Sequence, residues 1–346
     1  MQLSFSIWLT TSCNLKCRYC YEGVEKNNLV LREDYIDNIV NYILSRVESR
    51  EKAEEKKIEK INIEFHGGEP LLNYKAMKAF VELANNILYE YEIVYQLTTN
   101  ATVLDDEIVE FLKENIKHLT VSFDGNQLSH DLNRIDANGR GTYDLVKLNG
   151  LRLLNVYGDT LRIRMTYDTT TVMNLSDNII HLIEMGFSII VAQPDIFDRN
   201  WSNEKVEILE REILKLKKAR FKKSVYINLL DKVLLKEKGE CCIGKDGENI
   251  YPDGSIYACT MAAGNNEFKI GNIEDGVDKK KVDFIKEHSL QCMSSCTGCS
   301  FARYCDCERC RIVNRIVSGN YYSPIGIQCA LNNIMIKCNG YRLHEK

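Results

Sequence analysis

From Ser4 to about residue 195, short apolar runs rich in β-branched residues alternate with longer stretches whose apolar positions recur at helical spacing. Ser4–Leu9, Ile61–Phe65, Ile93–Thr98, Leu119–Phe123, Leu161–Thr166 and Phe187–Ala192 read as strands. Arg32–Lys57, Tyr74–Tyr91, Asp105–Asn115, Tyr143–Val156 and Asn174–Met185 read as the helices between them. The strands are apolar enough to be covered on both faces, which predicts a parallel sheet with right-handed crossovers. Six β-then-α units suit a partial barrel or a doubly wound sheet, and the pattern alone does not choose.

In either architecture the residues just after each strand gather on one face, where parallel α/β proteins put their chemistry. Those positions hold Thr11 to Cys20, His66-Gly67-Gly68-Glu69-Pro70, Thr99-Asn100, Asp124-Gly125, Tyr167-Asp168 and Gln193-Pro194-Asp195. Tyr167, Asp168, Gln193 and Asp195 are candidates to lie along a substrate, although ordinary strand-end capping also accounts for the two aspartates. Beyond Ser202 the chain turns charged and helical. Val206, Leu209, Ile213 and Leu216 form a narrow apolar stripe, read as core, as are Met173 and Met185. The stretch 201–238 reads as a helical bridge, dividing a β/α domain at 1–200 from a cysteine-rich domain at 239–346. In that last domain Pro252-Asp253-Gly254 between two β-prone runs predicts a hairpin over Asn249–Cys259.

The chain has 346 residues, 45% of them hydrophobic and 27% charged, with 4 prolines and 20 glycines, so it reads as folded and neither collagen-like nor low-complexity. Its 45 basic and 49 acidic residues give a net charge of -4, which argues against nucleic-acid binding driven by bulk charge. No apolar run approaches the roughly 18 residues of a membrane helix, and Met1–Thr10 lacks the basic start of a secretory signal. A cytoplasmic protein without membrane or nucleic-acid partners is expected.

The cysteines change this picture. Of fourteen, three stand at Cys13, Cys17 and Cys20, none between Cys20 and Cys241, and the other eleven follow from Cys241 to Cys338. A cytosolic chain of this length neither keeps nor needs them as disulfides, and core cysteines would not leave such a gap. Two metal regions are the economical explanation. Cys13-x3-Cys17-x2-Cys20 sits on the loop after the first strand. Zinc would want a fourth ligand, and no histidine is near. Three thiolates on a 4Fe–4S cube would leave one iron open. Both readings stand on spacing alone, with the cluster preferred.

The segment Thr11-Ser12-Cys13-Asn14-Leu15-Lys16-Cys17-Arg18-Tyr19-Cys20-Tyr21 closely resembles the cluster loop of radical S-adenosylmethionine (SAM) enzymes, including the aromatic Tyr19 before the third cysteine. Gly67-Gly68-Glu69-Pro70 is similar to the family's GGEP segment, which receives the methionine amino group. Thr99-Asn100 and Ser122-Phe123-Asp124-Gly125 resemble its next strand-end motifs. His130 and Arg134 follow at the spacing of peptide-modifying members, where such an arginine approaches the cofactor carboxylate; a surface ion pair is the competing explanation of Arg134. The resemblance implies a partial (β/α)6 TIM-like barrel. It also implies a 4Fe–4S cluster on Cys13, Cys17 and Cys20, with S-adenosylmethionine bound by Tyr19, Gly67, Gly68, Glu69, Pro70, Asn100, Ser122, Asp124 and Arg134. An external donor such as flavodoxin or ferredoxin would supply the electron that splits the cofactor to a 5′-deoxyadenosyl radical. Independently of the family, a glycine pair permits close backbone approach to a ligand, and Glu69 can accept from an ammonium group.

Gly254-x4-Cys259 followed by Cys296-x2-Cys299-x5-Cys305 resembles the SPASM domain, a small α+β module holding two auxiliary 4Fe–4S clusters. By that resemblance one cluster would use Cys296, Cys299, Cys305 and Cys329. The other would use Cys259, Cys310 and one or both of Cys241 and Cys242, with Cys242 preferred. The chain departs from the pattern where Arg309 stands between Cys307 and Cys310, so the fourth proximal ligand is open. Zinc suits some of these spacings too.

Relatives of this kind mostly modify peptides and proteins, by thioether or other side-chain cross-links or by formylglycine formation in sulfatases. In the sulfatase-maturing branch an acidic residue follows the cysteine equivalent to Cys259, and here that residue is Thr260. The expectation is a maturase of a ribosomally made peptide, with sulfatase-type oxidation of a Cys or Ser side chain as the alternative. Because the first strand begins by about Leu3, leader recognition would come from a separate protein or the catalytic face. A multi-cluster electron carrier would explain the cysteines but not the GGEP segment, and a zinc-stabilised interaction protein would not explain the three-thiolate loop.

Overall fold

The computed structural model describes residues 1–23, 27–232, 247–290, 293–305 and 310–339. Cys241, Cys242, Cys292 and Cys307, and the end of the expected bridge, lie outside the described residues. The chain forms two compact units. The first comprises residues 1–14, 22–120 and 242–284, and the second 15–21, 121–241 and 285–346.

In the first unit, β1 (Gln2–Thr10), β2 (Lys60–Gly67) and β3 (Glu92–Thr99) pair in parallel. They are joined by α1 (Ile36–Glu54) and α2 (Tyr74–Ile87). The reason is visible in burial. Ile61, Ile63 and Phe65 alternate inward along β2, while Ala76, Met77, Phe80, Val81 and Ala84 line one face of α2. Phe65 joins the two layers, meeting Phe80 edge-on at 5.6 Å and stacking on Tyr95 at 5.8 Å. The next helix, α3 (Asp106–Asn115), starts where Asp105 accepts the Ile108 N–H at 2.8 Å, an N-cap that fixes the predicted start. From it the chain enters β4 (Ile116–Ser122), which runs across the boundary between the units.

The hairpin predicted after Cys242 also belongs to the first unit. β8 (Gly247–Ile250) and β9 (Ser255–Tyr257) pair antiparallel, with the Gly254 N–H donating to the Tyr251 carbonyl. β9 continues into β10 (Lys269–Asn272) and β11 (Gly276–Val277). Local pattern did not foretell that β8 also pairs with β1, in parallel, from Ser4 opposite Gly247 to Ile7 opposite Ile250. Residues 247–277 of the expected cysteine-rich domain thus extend the first unit's sheet, while residues 285–346 belong to the second unit. Glu248 anchors β8, accepting from Tyr42 Oη at 2.6 Å and Arg46 Nε at 2.7 Å, while Trp8 packs against Tyr251 and Tyr257.

In the second unit, α4 (Gln127–Asn133), α5 (Tyr143–Tyr157), β5 (Arg162–Tyr167), α6 (Leu175–Glu184) and β6 (Ile189–Pro194) follow in order. β5 and β6 pair in parallel. The stretch read as a bridge holds α7 (Asn203–Lys218) and the short strand β7 (Tyr226–Ile227), which adds to β6. Leu209, Ile213 and Leu216 are buried, and Glu212 of α7 accepts from the Ser176 N–H at 2.9 Å at the start of α6. This stretch is therefore part of the β/α layering, because its apolar stripe has a helix to pack on. Asn228 completes the edge by exchanging amide hydrogen bonds with Ala192 at 2.8 and 2.9 Å. Met173, expected in the core, is 49% exposed; it sits on a single 3-10 turn whose inward position is taken by Val172.

The prediction of alternating strands and helices around a parallel sheet holds. No helix among the described residues is long and apolar enough to cross a membrane.

Candidate functional site

In the first unit the strand ends converge on Cys13. The Gly68 N–H donates to the Thr10 carbonyl at 3.0 Å and the Glu69 N–H to the Ser12 carbonyl at 2.9 Å. A Cβ on Gly67 would stand 2.3 Å from the Thr10 oxygen, and one on Gly68 2.4 Å from the Ser12 oxygen. The pair is thus required by the chain's own approach to the segment leading into Cys13. Glu69 is 1% exposed. Its Oε1 accepts from Thr99 Oγ1 at 2.7 Å and the Leu71 N–H at 3.1 Å, and its Oε2 from the Asn100 N–H at 2.7 Å. Pro70 begins the 3-10 turn that Glu69 caps. This carboxylate therefore ties the second strand end to the third, a role its sequence position did not reveal. The Asn100 amide donates to Asn14 Oδ1 at 3.0 Å and points at Cys13 Sγ, 3.9 Å away.

In the second unit the loop carrying Cys17 and Cys20 is pinned to the segment after α4. Lys16 donates to the Ile135 carbonyl at 2.8 Å and Arg18 to that of Asn133 at 3.0 Å, and Cys20 turns back on Cys17 at 3.1 Å. The hub is Asp124, which follows Ser122 and Phe123 at the end of β4 and is buried. Its Oδ2 accepts from Arg134 Nε at 2.9 Å and from Tyr19 Oη, and its Oδ1 from the Thr166 N–H at 2.9 Å. The Arg134 guanidinium lies 5.3 Å from the Tyr19 ring centre, with Nη1 4.0 Å from Cys17 Sγ. Arg134 is 6% exposed, which rules out the surface-pair explanation. Burial opposes its charge, but the Asp124 carboxylate holds it on well above the ordinary range. Burial likewise pushes the Tyr19 phenol well above its usual value.

His130, noted for its spacing only, organises this hub. It is fully buried. The Asp124 N–H donates to His130 Nδ1 at 3.3 Å, and Thr142 Oγ1, 3.2 Å from His130 Nε2, donates its own proton to the Arg134 carbonyl at 2.9 Å. Those directions require the neutral ring with its proton on Nε2. Burial and then the Arg134 charge pull its pKa down to about 3.

At the ends of β5 and β6 the sequence candidates divide. Tyr167 is fully buried, packed edge-on against Trp201 at 6.2 Å, and its hydroxyl has no hydrogen-bond partner among the described residues. Its hydroxyl is enclosed where a displayed contact was expected. Asp168 is a cap, accepting through Oδ1 from the Thr170 and Thr171 N–H groups, both at 2.9 Å, and through Oδ2 from Asn133 at 2.9 Å. Burial raises its pKa, but hydrogen bonds from Thr170, Asn133 and Thr171 outweigh that and lower it. Asp195 accepts from the Phe197 N–H at 2.9 Å, and burial raises its pKa. Gln193 is half-buried, in register with Thr166.

Among the late cysteines, Cys296, Cys299 and Cys305 punctuate consecutive tight turns in the second unit, the Cys299 N–H donating to the Cys296 carbonyl at 3.0 Å. Burial and then the charges of Cys305 and Cys299 raise the Cys329 thiol. Those three sulfurs are electrostatic neighbours. Asn332 Nδ2 donates to Cys305 Sγ at 3.2 Å, and Asn333 Nδ2 to Cys329 Sγ at 3.7 Å. Cys310 caps the helix Arg311–Ser318. Cys259 ends the hairpin of the first unit, followed by Thr260, whose hydroxyl donates to Asn249 Oδ1 at 2.8 Å. Among the described residues no three His, Cys, Asp or Glu side chains group so as to hold a single metal ion. The fit to a metal group therefore rests on donor chemistry, and cysteine sulfurs met by N–H donors fit iron–sulfur centres.

Residues 8–158 match the model of the Radical SAM superfamily. The chain thus carries a radical SAM domain over that segment, which holds the N-terminal cysteine loop, Gly67-Gly68-Glu69-Pro70, Asp124 and Arg134. It is 24% identical over 337 residues to the cysteine-type anaerobic sulfatase-maturating enzyme of Clostridium perfringens, 87% of each chain. It is 28% identical over 290 residues to an uncharacterized protein of Methanocaldococcus jannaschii, 82% of this chain and 92% of that one. Among solved structures, native anSMEcpe with bound AdoMet is similar with a TM-score of 0.79 at 20% identity, covering 97% of this chain and 96% of that one. Streptococcus suis SuiB bound to precursor peptide SuiA gives 0.62 at 18% identity, covering 94% and 75%. The fold is that of these enzymes, as the family resemblance implied. The superfamily implies a 4Fe–4S cluster and S-adenosylmethionine.

Proposed function

We propose that this enzyme is a peptide or protein maturase that abstracts hydrogen from a substrate side chain, with Cys13, Cys17 and Cys20 holding the catalytic cluster. When bound, the cluster and S-adenosylmethionine supply one electron and a 5′-deoxyadenosyl radical. The chain's own groups hold and orient. Arg134, charged and kept in place by Asp124, offers its guanidinium beside Cys17 to a carboxylate. Tyr19 is locked by the same carboxylate. The turn Gly67-Gly68-Glu69-Pro70 and Asn100, and in the second unit Ser122, are proposed as further cofactor contacts. A hydrogen-abstracting radical demands a site closed to water, and burial of Asp124, His130 and Arg134 suits that demand. The observation carrying the reading is the buried arginine–aspartate pair beside a cluster-loop thiol.

The substrate proposed is a ribosomally made peptide, joined by a thioether or another cross-link, with Gln193 as a candidate contact. Thr260 favours this branch, since its hydroxyl is tied to Asn249 and no carboxylate stands there. Kinship with sulfatase maturases over 87% of both chains favours the second reading, oxidation of a Cys or Ser side chain to an aldehyde. Auxiliary 4Fe–4S clusters are proposed on Cys296, Cys299, Cys305 and Cys329, and on Cys259, Cys310 and Cys242. A flavodoxin or ferredoxin would deliver the electron, and a separate protein would present any leader. The test is anaerobic reconstitution with dithionite and S-adenosylmethionine. Wild type should form 5′-deoxyadenosine and Cys17→Ala should not; equal formation by both sinks the site assignment. Mass spectrometry of a peptide encoded beside the enzyme, with and without a hydrazide reagent, then separates the branches: loss of two hydrogens with no hydrazide-reactive carbonyl marks a cross-link, and a carbonyl that captures the hydrazide marks the aldehyde.

A further inference from the structure

Two adjacent asparagines on the last described helix, Gly326–Asn339, donate to two different cysteine sulfurs. Asn332 reaches out of its helix to Cys305 at 3.2 Å, 27 residues away in sequence. Asn333 turns to Cys329, one helical turn before it, at 3.7 Å. Neighbouring helix positions point about 100° apart, so one turn of helix serves two sulfurs on different segments. Asn332 is half-buried and Asn333 exposed. Amides do not titrate, so these donors are present at every working pH.

We infer that Asn332 and Asn333 tune the reduction potential of the auxiliary cluster bound by Cys296, Cys299, Cys305 and Cys329, making it easier to reduce. The inference rests on the auxiliary-cluster reading under Proposed function. An added electron increases the negative charge on the ligand sulfurs, and an N–H donor stabilises that form more than the oxidised one. Removing the donor therefore lowers the potential. Asn332 should matter more, because its contact is shorter and less open to water. A merely structural amide would change how well the cluster is retained and leave its potential unmoved.

The experiment uses the full chain, reconstituted anaerobically. Iron and sulfide are counted in wild type and Cys299→Ala, and potentials are read by EPR-monitored redox titration. Equal iron in wild type and Cys299→Ala overturns the cluster reading itself, and this inference with it. With iron lower in Cys299→Ala, Asn332→Leu should keep the wild-type iron and move one cluster to a more negative potential, leaving the others in place. Asn332→Asp, which puts an anion there, should move it further, and Asn333→Leu less. An unchanged or more positive potential in iron-replete Asn332→Leu overturns the tuning role while sparing the cluster assignment. Should Asn332→Leu fail to hold iron, Asn332→Asp and Asn333→Leu decide by the same criterion, and loss of iron from all three overturns tuning in favour of a structural role.

Discussion

Arg134 Nε donates to Asp124 Oδ2 across 2.9 Å with both side chains buried. Neither residue is adjacent to the cluster loop in sequence, yet Tyr19 of that loop donates to the same carboxylate oxygen. Breaking a buried pair by deleting one member leaves the other charge without compensation, at a cost of about 3–5 kcal/mol. Asp124→Ala should lose stability on that order in urea unfolding of the metal-free chain and should bind S-adenosylmethionine poorly. A loss below about 1 kcal/mol, the range of exposed pairs, would contradict the pairing described.

Gly68→Ala tests the close approach before Cys13. The new methyl group would stand 2.4 Å from the Ser12 oxygen, a backbone atom that cannot swing aside. Displacing packed backbone typically costs about 1–3 kcal/mol. Gly68→Ala should unfold earlier in urea and, after anaerobic reconstitution, form less 5′-deoxyadenosine per chain. Wild-type stability with wild-type cofactor cleavage would remove the steric argument.

His130 makes stability depend on pH. Its folded pKa, near 3, is depressed below the ordinary histidine value of about 6.5. Between those values the unfolded chain binds the proton and the folded chain does not. The contribution is therefore complete above pH 6.5 and is lost as pH falls towards 3, at up to about 1.4 kcal/mol per pH unit. Urea midpoints from pH 7 to pH 4 should fall more steeply for wild type than for His130→Gln, which cannot take up this proton. Parallel slopes would show that the ring is not buried neutral.

Glu248 joins the C-terminal hairpin to the first helix. Its carboxylate is buried and takes both Tyr42 Oη and Arg46 Nε, and the pull of Glu248 on Arg46 prevails over the burial that would otherwise weaken its charge. Glu248→Ala should loosen residues 247–257 from the first strand. Hydrogen exchange at Asn249 and Ile250 should rise at least tenfold, the equivalent of about 1.4 kcal/mol of local stability. Unchanged protection there would mean that the β1–β8 ladder holds without the ion pair.

Much of the site is legible in the residue order. Strand ends follow the change from apolar runs to glycine and polar residues, because a buried parallel strand has to be apolar and its end has to turn. The cysteine loop stands out because three thiols crowd one short loop and the next cysteine is Cys241, a grouping that suits a shared metal. Glu69 is legible as a site residue, but not its donors at Thr99 and Asn100, some thirty residues on, since hydrogen bonds at that range leave no periodic trace. Tyr167 departs from expectation for a related reason: position at a strand end does not say whether a ring faces a cleft or the interior.

The sequence by itself determined the alternation of strands and helices, the positions of the turns, and the close grouping of the three thiols in the N-terminal loop. Each depends on neighbours a few residues away, where period and steric preference act directly. Tertiary structure alone decided that Asp124 unites Tyr19 with Arg134, that β8 lies beside β1, and that Asn332 and Asn333 face the sulfurs of Cys305 and Cys329. Those pairings are set by how packed layers bring distant segments together, and many local sequences are compatible with each of them.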